Sequence, residues 1–106
     1  MFPLLSNGAK AFRNNLFYLK FVLGNELGSR FCFSVSKKVA KSAVVRNRLR
    51  RTGYRLLEKY LPKIKPNILA VFSFRAIPKN NDDIIKNLES ILNDSLLQNN
   101  NLYTAL

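Results

Sequence analysis

The sequence predicts an α+β fold, a single domain over residues 1–106 in which a sheet is covered on one face by helices. Three observations lead there. Short runs rich in aromatic and branched side chains occupy residues 16–23, 30–36 and 68–74. Two longer stretches, from Val44 to about Tyr60 and from about Asp82 to Gln98, carry apolar residues at spacings of three and four. A chain of 106 residues suffices for one modest core and not for several domains.

The first run, LFYLKFVL, reads as a strand, and GNELG after it, with glycines at 24 and 28, reads as a turn into a second strand. In that second strand, RFCFSVS from Arg30 to Ser36, Phe31, Phe33 and Val35 share one face and Cys32, Ser34 and Ser36 the other. The first face belongs to a core. The second carries small side chains, which leave room for a flat ligand and suit a groove floor. In the long helix, Val45, Leu49, Leu56 and Tyr60 fall within about 60° on a wheel of 3.6 residues per turn. Pro62 and Pro66 then end it. Gly53 inside this helix costs about 0.8–1 kcal/mol relative to alanine if exposed, so close packing on the sheet is a reason for its presence. ILAVFSF, 68–74, is apolar on both faces, as in a central strand covered by helices. The last helix aligns Ile84, Ile85, Leu88, Ile91, Leu92 and Leu96 on one stripe, with Asp82 or Asp83 as its N-terminal cap. The tail QNNNLYTAL reads as a frayed end. Strand order does not follow from the pattern.

Lysine and arginine number 18 against six acids, for a formal charge of +12 and a pI near 10.4. Such a balance attracts polyanions, nucleic acid first and an anionic membrane surface second. Eleven of the 18 basic residues lie between Lys37 and Lys65, with Glu58 as the one acid among them. A lone cysteine, Cys32, rules out an internal disulfide, and with no histidine the usual structural zinc sets are unavailable. A reduced, cytoplasmic setting is expected, since no apolar stretch approaches the length of a membrane span and MFPLLSNGAK lacks the pattern of an export signal.

Enzymatic side-chain chemistry finds little support. Cys32 has no histidine to activate it and reads as a small residue within a strand. The glycines match no phosphate-loop spacing, and Asp82 with Asp83 is better explained by a helix start than by catalysis. The long helix is the remaining feature, opening VVRNRLRR at residues 44–51. A solvated helix face mixes charges, whereas here the arginines repel one another, so a polyanionic partner accounts better for the crowding. On the wheel Arg46 and Arg50 flank the apolar stripe on one side, Arg48 and Lys59 on the other, which makes two charged surfaces. Guanidinium groups fork onto phosphate oxygens and stack on bases, which suits structured RNA. Asn47, set between arginines, reads equally as a plain helix residue or as an amide that contacts a nucleotide or a hydrated cation.

FSVSKKV at 33–39 followed by AVVRNRLRR at 43–51 closely resembles the bacterial ribonuclease P protein subunit, marked by a strand ending in S-x-S-K-K and a helix opening with R-N-R. The similarity runs from about Gly8 through NGAKAFRNNLFYL and the GNELGSR hairpin to ILAVFSFRAIP and the last helix. The resemblance implies a small sandwich of a mostly antiparallel sheet with helices packed on it, a left-handed crossover of the ribosomal protein S5 domain 2-like kind, and here a shortened N-terminal helix. It implies binding to the catalytic ribonuclease P RNA and to the 5′ leader of precursor tRNA, with endonucleolytic removal of the leader. Catalysis would come from the RNA, using Mg2+, with no cofactor held tightly by the protein, no membrane and no DNA as partner.

By position, the resemblance places Ser34, Ser36 and Lys38 in a leader groove on the sheet face, with Arg46 and Asn47 along its helical wall. Arg48, Arg50 and Arg51 would hold the catalytic RNA or the substrate backbone, and Lys37, Lys41 and Arg55 extend the RNA-binding set. Tyr18 and Lys20, opposite Phe17 on the first strand, are further groove residues, whereas Phe17, Phe21, Phe31 and Phe33 are assigned to the core. Two departures from the family stand out. Only MFPLLSNG precedes the matching segment, where the family has a longer basic arm and an aromatic-bearing helix, and Tyr54 replaces a common arginine, with Arg55 one step on. A small basic ribosomal or other RNA-binding protein without a role in tRNA processing is the alternative. A protein-only nuclease lacks the clustered acids it would need.

Overall fold

Alternating burial along the strands builds one apolar sheet face, and the helices close over it. The computed structural model describes residues 9–24, 28–64 and 67–95. Its elements are β1 (Lys10–Arg13), β2 (Phe17–Leu23), β3 (Arg30–Val35), α1 (Ala43–Leu57), a short 3₁₀ helix (Glu58–Lys63), β4 (Ile68–Phe74) and α2 (Asn81–Asp94). The sheet has the order β1-β2-β4-β3. β1 and β4 pair antiparallel with β2, and β3 pairs parallel with β4. A parallel pair needs a crossover, and α1 supplies it.

Phe17, Leu19 and Phe21 of β2, Phe33 and Val35 of β3, and Ile68, Ala70, Phe72 and Phe74 of β4 are buried in one cluster with Leu49, Leu56 and Leu57 of α1 and Ile84, Leu88, Ile91 and Leu92 of α2. Phe33 is at its centre: its ring stacks on Phe72 at 4.9 Å and meets Tyr54 edge-on at 5.1 Å. Each fully buried phenylalanine contributes roughly 1.5–3 kcal/mol over its exposed state. The four phenylalanines assigned to the core are there, three buried and Phe31 half-buried against the cluster.

Gly53 is buried against Phe33, so close that a Cβ there would lie 2.7 Å from Phe33 Cδ2. Helix and sheet approach at the one position without a side chain, as expected from the cost of a glycine in mid-helix.

Several expectations are corrected. β1 is a strand that the pattern did not disclose, because its residues are mostly exposed and only Phe12 turns toward the core. β2 and β3 do not form a hairpin: β4 lies between them, and Gly24 and Gly28 adopt positive φ of 82° and 93°. β4 is central, as its apolar composition demands, yet both described helices pack on one face and leave the side of Val71 and Ser73 without a helix among the described residues. Asn80, not Asp82 or Asp83, caps α2: its side chain accepts from the Asp83 N–H at 2.9 Å, while Asp83 Oδ2 accepts from the N–H of Lys79, just before the cap, at 3.0 Å. α1 ends at Leu57 and tightens into the 3₁₀ helix, which contains Pro62. The N-terminal helix, Leu96 and the C-terminal tail fall outside the described residues.

Candidate nucleic-acid interface

The S-x-S-K-K and R-N-R segments are joined by a turn that fixes their relation. After β3, the Ser36 carbonyl accepts from the N–H groups of Val39 and Ala40, both at 3.1 Å, and the chain folds back toward α1. Ser42 caps that helix, its hydroxyl accepting from the Val45 N–H at 3.3 Å. Arg46, one turn in, returns to the turn: its Nη1 donates to the carbonyls of Ala40 at 2.9 Å and Lys41 at 2.8 Å. These bonds hold the turn against the helix start and leave Ser36, Lys37, Lys38 and Lys41 exposed. Arg46 itself is half-buried, with part of its guanidinium committed to the backbone.

On the outer arc of α1, Asn47, Arg50, Arg51 and Tyr54 line a depression of about 350 Å³. Arg50 donates from Nη2 to Asn47 Oδ1, which engages one lone pair of the carboxamide oxygen, and the Asn47 amide adds two N–H donors. Arg48 and Arg55 are exposed and lie about 40–60° beyond Arg51 on the wheel, extending the basic arc away from Arg50. The two basic surfaces are therefore divided differently from the sequence wheel: Arg50 belongs with Arg51 and Tyr54, and Arg46 with the turn.

The sheet face away from the core forms a second surface. Strand register aligns Arg13, Tyr18, Ser73 and Ser34 in one row, and Ala11, Lys20, Val71 and Cys32 in the next. Ser34 and Ser73 hydroxyls are 3.4 Å apart, Tyr18 is 38% exposed, and Lys20 is half-buried. Tyr18, Lys20 and Ser34 thus share one face with two residues the sequence reading missed, Arg13 and Ser73. Ser73 is detectable only from register, since it lies 39 residues from Ser34.

The two surfaces meet at the outer edge of β3. Tyr54 Oη accepts a hydrogen bond from the Phe33 N–H at 3.3 Å, satisfying a donor on an edge strand. Phe33 sits between Cys32 and Ser34, both of which face the open side of the sheet. Hydroxyl donors and acceptors, exposed lysines and an arginine-lined helix therefore form one flank of the molecule. Among the described residues no group of three or more His, Cys, Asp or Glu side chains comes together. No helix among them is long and apolar enough to cross a membrane.

Fold and surface together define a class: a small, strongly basic α+β protein suited to holding a polyanion. The family model for ribonuclease P matches residues 2–95. The ribonuclease P protein component of Microcystis aeruginosa is 39% identical over 66 residues, 60% of this chain and 55% of that protein. The counterpart from Synechocystis is 33% identical over 69 residues, 63% of this chain and 56% of that protein. The aligned stretches thus span little more than half of these relatives. Among solved structures, the ribonuclease P protein of Staphylococcus aureus superposes with a TM-score of 0.77 at 21% identity, covering 90% of this chain and 88% of that one. That of Thermotoga maritima gives 0.65 at 22% identity, covering 89% and 86%. This chain belongs to the ribonuclease P protein component family.

Proposed function

We propose that this chain is the protein subunit of a ribonuclease P ribonucleoprotein, which holds the catalytic RNA and the 5′ leader of precursor tRNA and so promotes removal of the leader. Cleavage is assigned to the RNA with its Mg2+ ions, and the protein contributes binding and positioning. The observation that carries this is the flank joining the open sheet face to the outer arc of α1, in a chain of this family. Ser34, Ser36, Tyr18 and Lys20 offer hydrogen bonds and a ring to an extended single strand. Lys37, Lys38, Lys41, Arg48, Arg50, Arg51 and Arg55 offer charge to phosphates, which positions RNA without reading its sequence. Asn47 adds an amide donor between the two, and Arg46 keeps the lysine turn in place.

The test adds the purified chain to a ribonuclease P RNA at low magnesium with precursor tRNA. A faster cleavage is expected, because neutralising phosphate repulsion lowers the demand for metal ions. No change in rate, with the chain co-sedimenting with ribosomal subunits instead, would favour the ribosomal alternative.

A further inference from the structure

We infer that the depression on α1 is a single-nucleotide site: Tyr54 is the platform for one unpaired RNA base, and Asn47, Arg50 and Arg51 hold the adjoining phosphate. RNA as the ligand class rests on the function proposed above. The assignment of base to Tyr54 and phosphate to the three donors comes from the site itself.

Four side chains line the depression, and none is an acid. Arg50 and Arg51 bring two guanidinium groups, and Asn47, whose oxygen accepts from Arg50, adds the N–H donors of its amide. Two guanidinium groups in a concavity without an acid favour an anion, and their forked geometry suits phosphate oxygens. Tyr54 completes the wall and is 41% exposed, unusual for a ring whose other contacts are with the core. Its orientation is fixed at two points, by the bond from the Phe33 N–H at 3.3 Å and by the edge-on contact with the Phe33 ring at 5.1 Å. A ring held in this way loses little further freedom on stacking, and a base can lie on it with its phosphate directed at Arg50 and Arg51. The spacing i, i+3, i+4, i+7 keeps all four on one arc, between 40° and 140° from Arg46 on the wheel, so the site exists whenever the helix is formed.

The experiment measures binding of the purified full chain to two labelled probes, a short oligoadenylate and an abasic ribose-phosphate strand of equal length, across a salt series. Tyr54→Leu is expected to weaken oligoadenylate binding roughly tenfold, equivalent to about 1.4 kcal/mol, and to leave abasic binding unchanged. Tyr54→Phe keeps the ring and loses only the hydroxyl, and should bind both probes as the unaltered chain does. Arg51→Gln should weaken both probes alike and flatten the salt dependence by somewhat less than one unit of slope. The inference is overturned if Tyr54→Leu leaves oligoadenylate binding intact, if it weakens both probes equally, or if Tyr54→Phe loses as much as Tyr54→Leu, since Tyr54 would then act only by supporting β3. Stimulation of ribonuclease P RNA by the unaltered chain is measured separately. Its absence would remove the proposed function without touching the base preference, and an absent base preference alongside stimulation would remove only the nucleotide site.

Discussion

Replacing Gly53 by alanine would place a methyl carbon 2.7 Å from Phe33 Cδ2, 2.8 Å from Cε2 and 3.0 Å from Cγ. Phe33 cannot move aside cheaply: it is 1% exposed and its ring is boxed by Phe17, Phe72, Phe74 and Tyr54. Overpacking of this kind costs about 1–3 kcal/mol. Alanine recovers about 0.8–1 kcal/mol of helix propensity. The clash outweighs the gain, and a net loss of about 1 kcal/mol corresponds to a fall in Tm of roughly 4–8 °C for a domain of this size. Thermal melting followed by circular dichroism measures it. Phe33→Leu in the Gly53→Ala background opens space beside the new methyl, so the double variant should be less destabilised than the sum of the two single changes. A Gly53→Ala protein that melts at or above the unaltered temperature would refute the close approach of α1 to β3 and, with it, the position of the helix arc beside the sheet edge.

Asn14 Oδ1 accepts from the N–H groups of Leu16 at 3.1 Å and Phe17 at 2.8 Å, and its Nδ2 donates to the Asn87 carbonyl at 2.9 Å. Asn14→Ala removes all three, and urea unfolding should show a loss of about 2 kcal/mol, whereas Asn15→Ala serves as an exposed control. Asn80→Ala should cost about 1 kcal/mol in the same assay through loss of the α2 cap. Burial pushes the Tyr60 phenol above its ordinary pKa of 10.0, and the charge of Glu89 and a hydrogen bond to it add to the shift. The folded state therefore resists deprotonation more than the unfolded one, so the stabilisation is complete below about pH 10 and is lost as pH rises through the folded value. Tyr60→Phe should remove that alkaline decline, as read by melting temperature against pH.

The core and the identity of most elements were legible because burial imposes periods of two and 3.6 on the residues that face it. Phe33 and Val35, or Ile84, Leu88 and Ile91, declare their faces locally. β1 was not legible, since Lys10 and Arg13 are exposed and a strand of four residues offers one inward side chain. Nor was the insertion of β4 between β2 and β3, because pairing partners leave no local trace. The interface shows the same division. VVRNRLRR announced an arginine-rich helix, but Arg46 turned back to the Ala40 and Lys41 carbonyls, a commitment set by the turn and not by the helix wheel. Tyr54 was within reach of sequence reasoning, since the wheel already places it between Arg50 and Arg51. Ser73 and Arg13 needed the register, which only the folded sheet supplies.

The proposed function requires that the flank shared by β3 and α1 grip the leader of precursor tRNA. The most direct measurement compares the affinity of the ribonucleoprotein, reconstituted with this chain, for mature tRNA and for precursors with leaders of increasing length. Affinity is predicted to rise with leader length until the flank is covered and then to level off, and the rise should shrink when Ser34 and Ser73 are both replaced by valine. Equal affinity for mature and precursor tRNA, with or without those substitutions, would contradict the account.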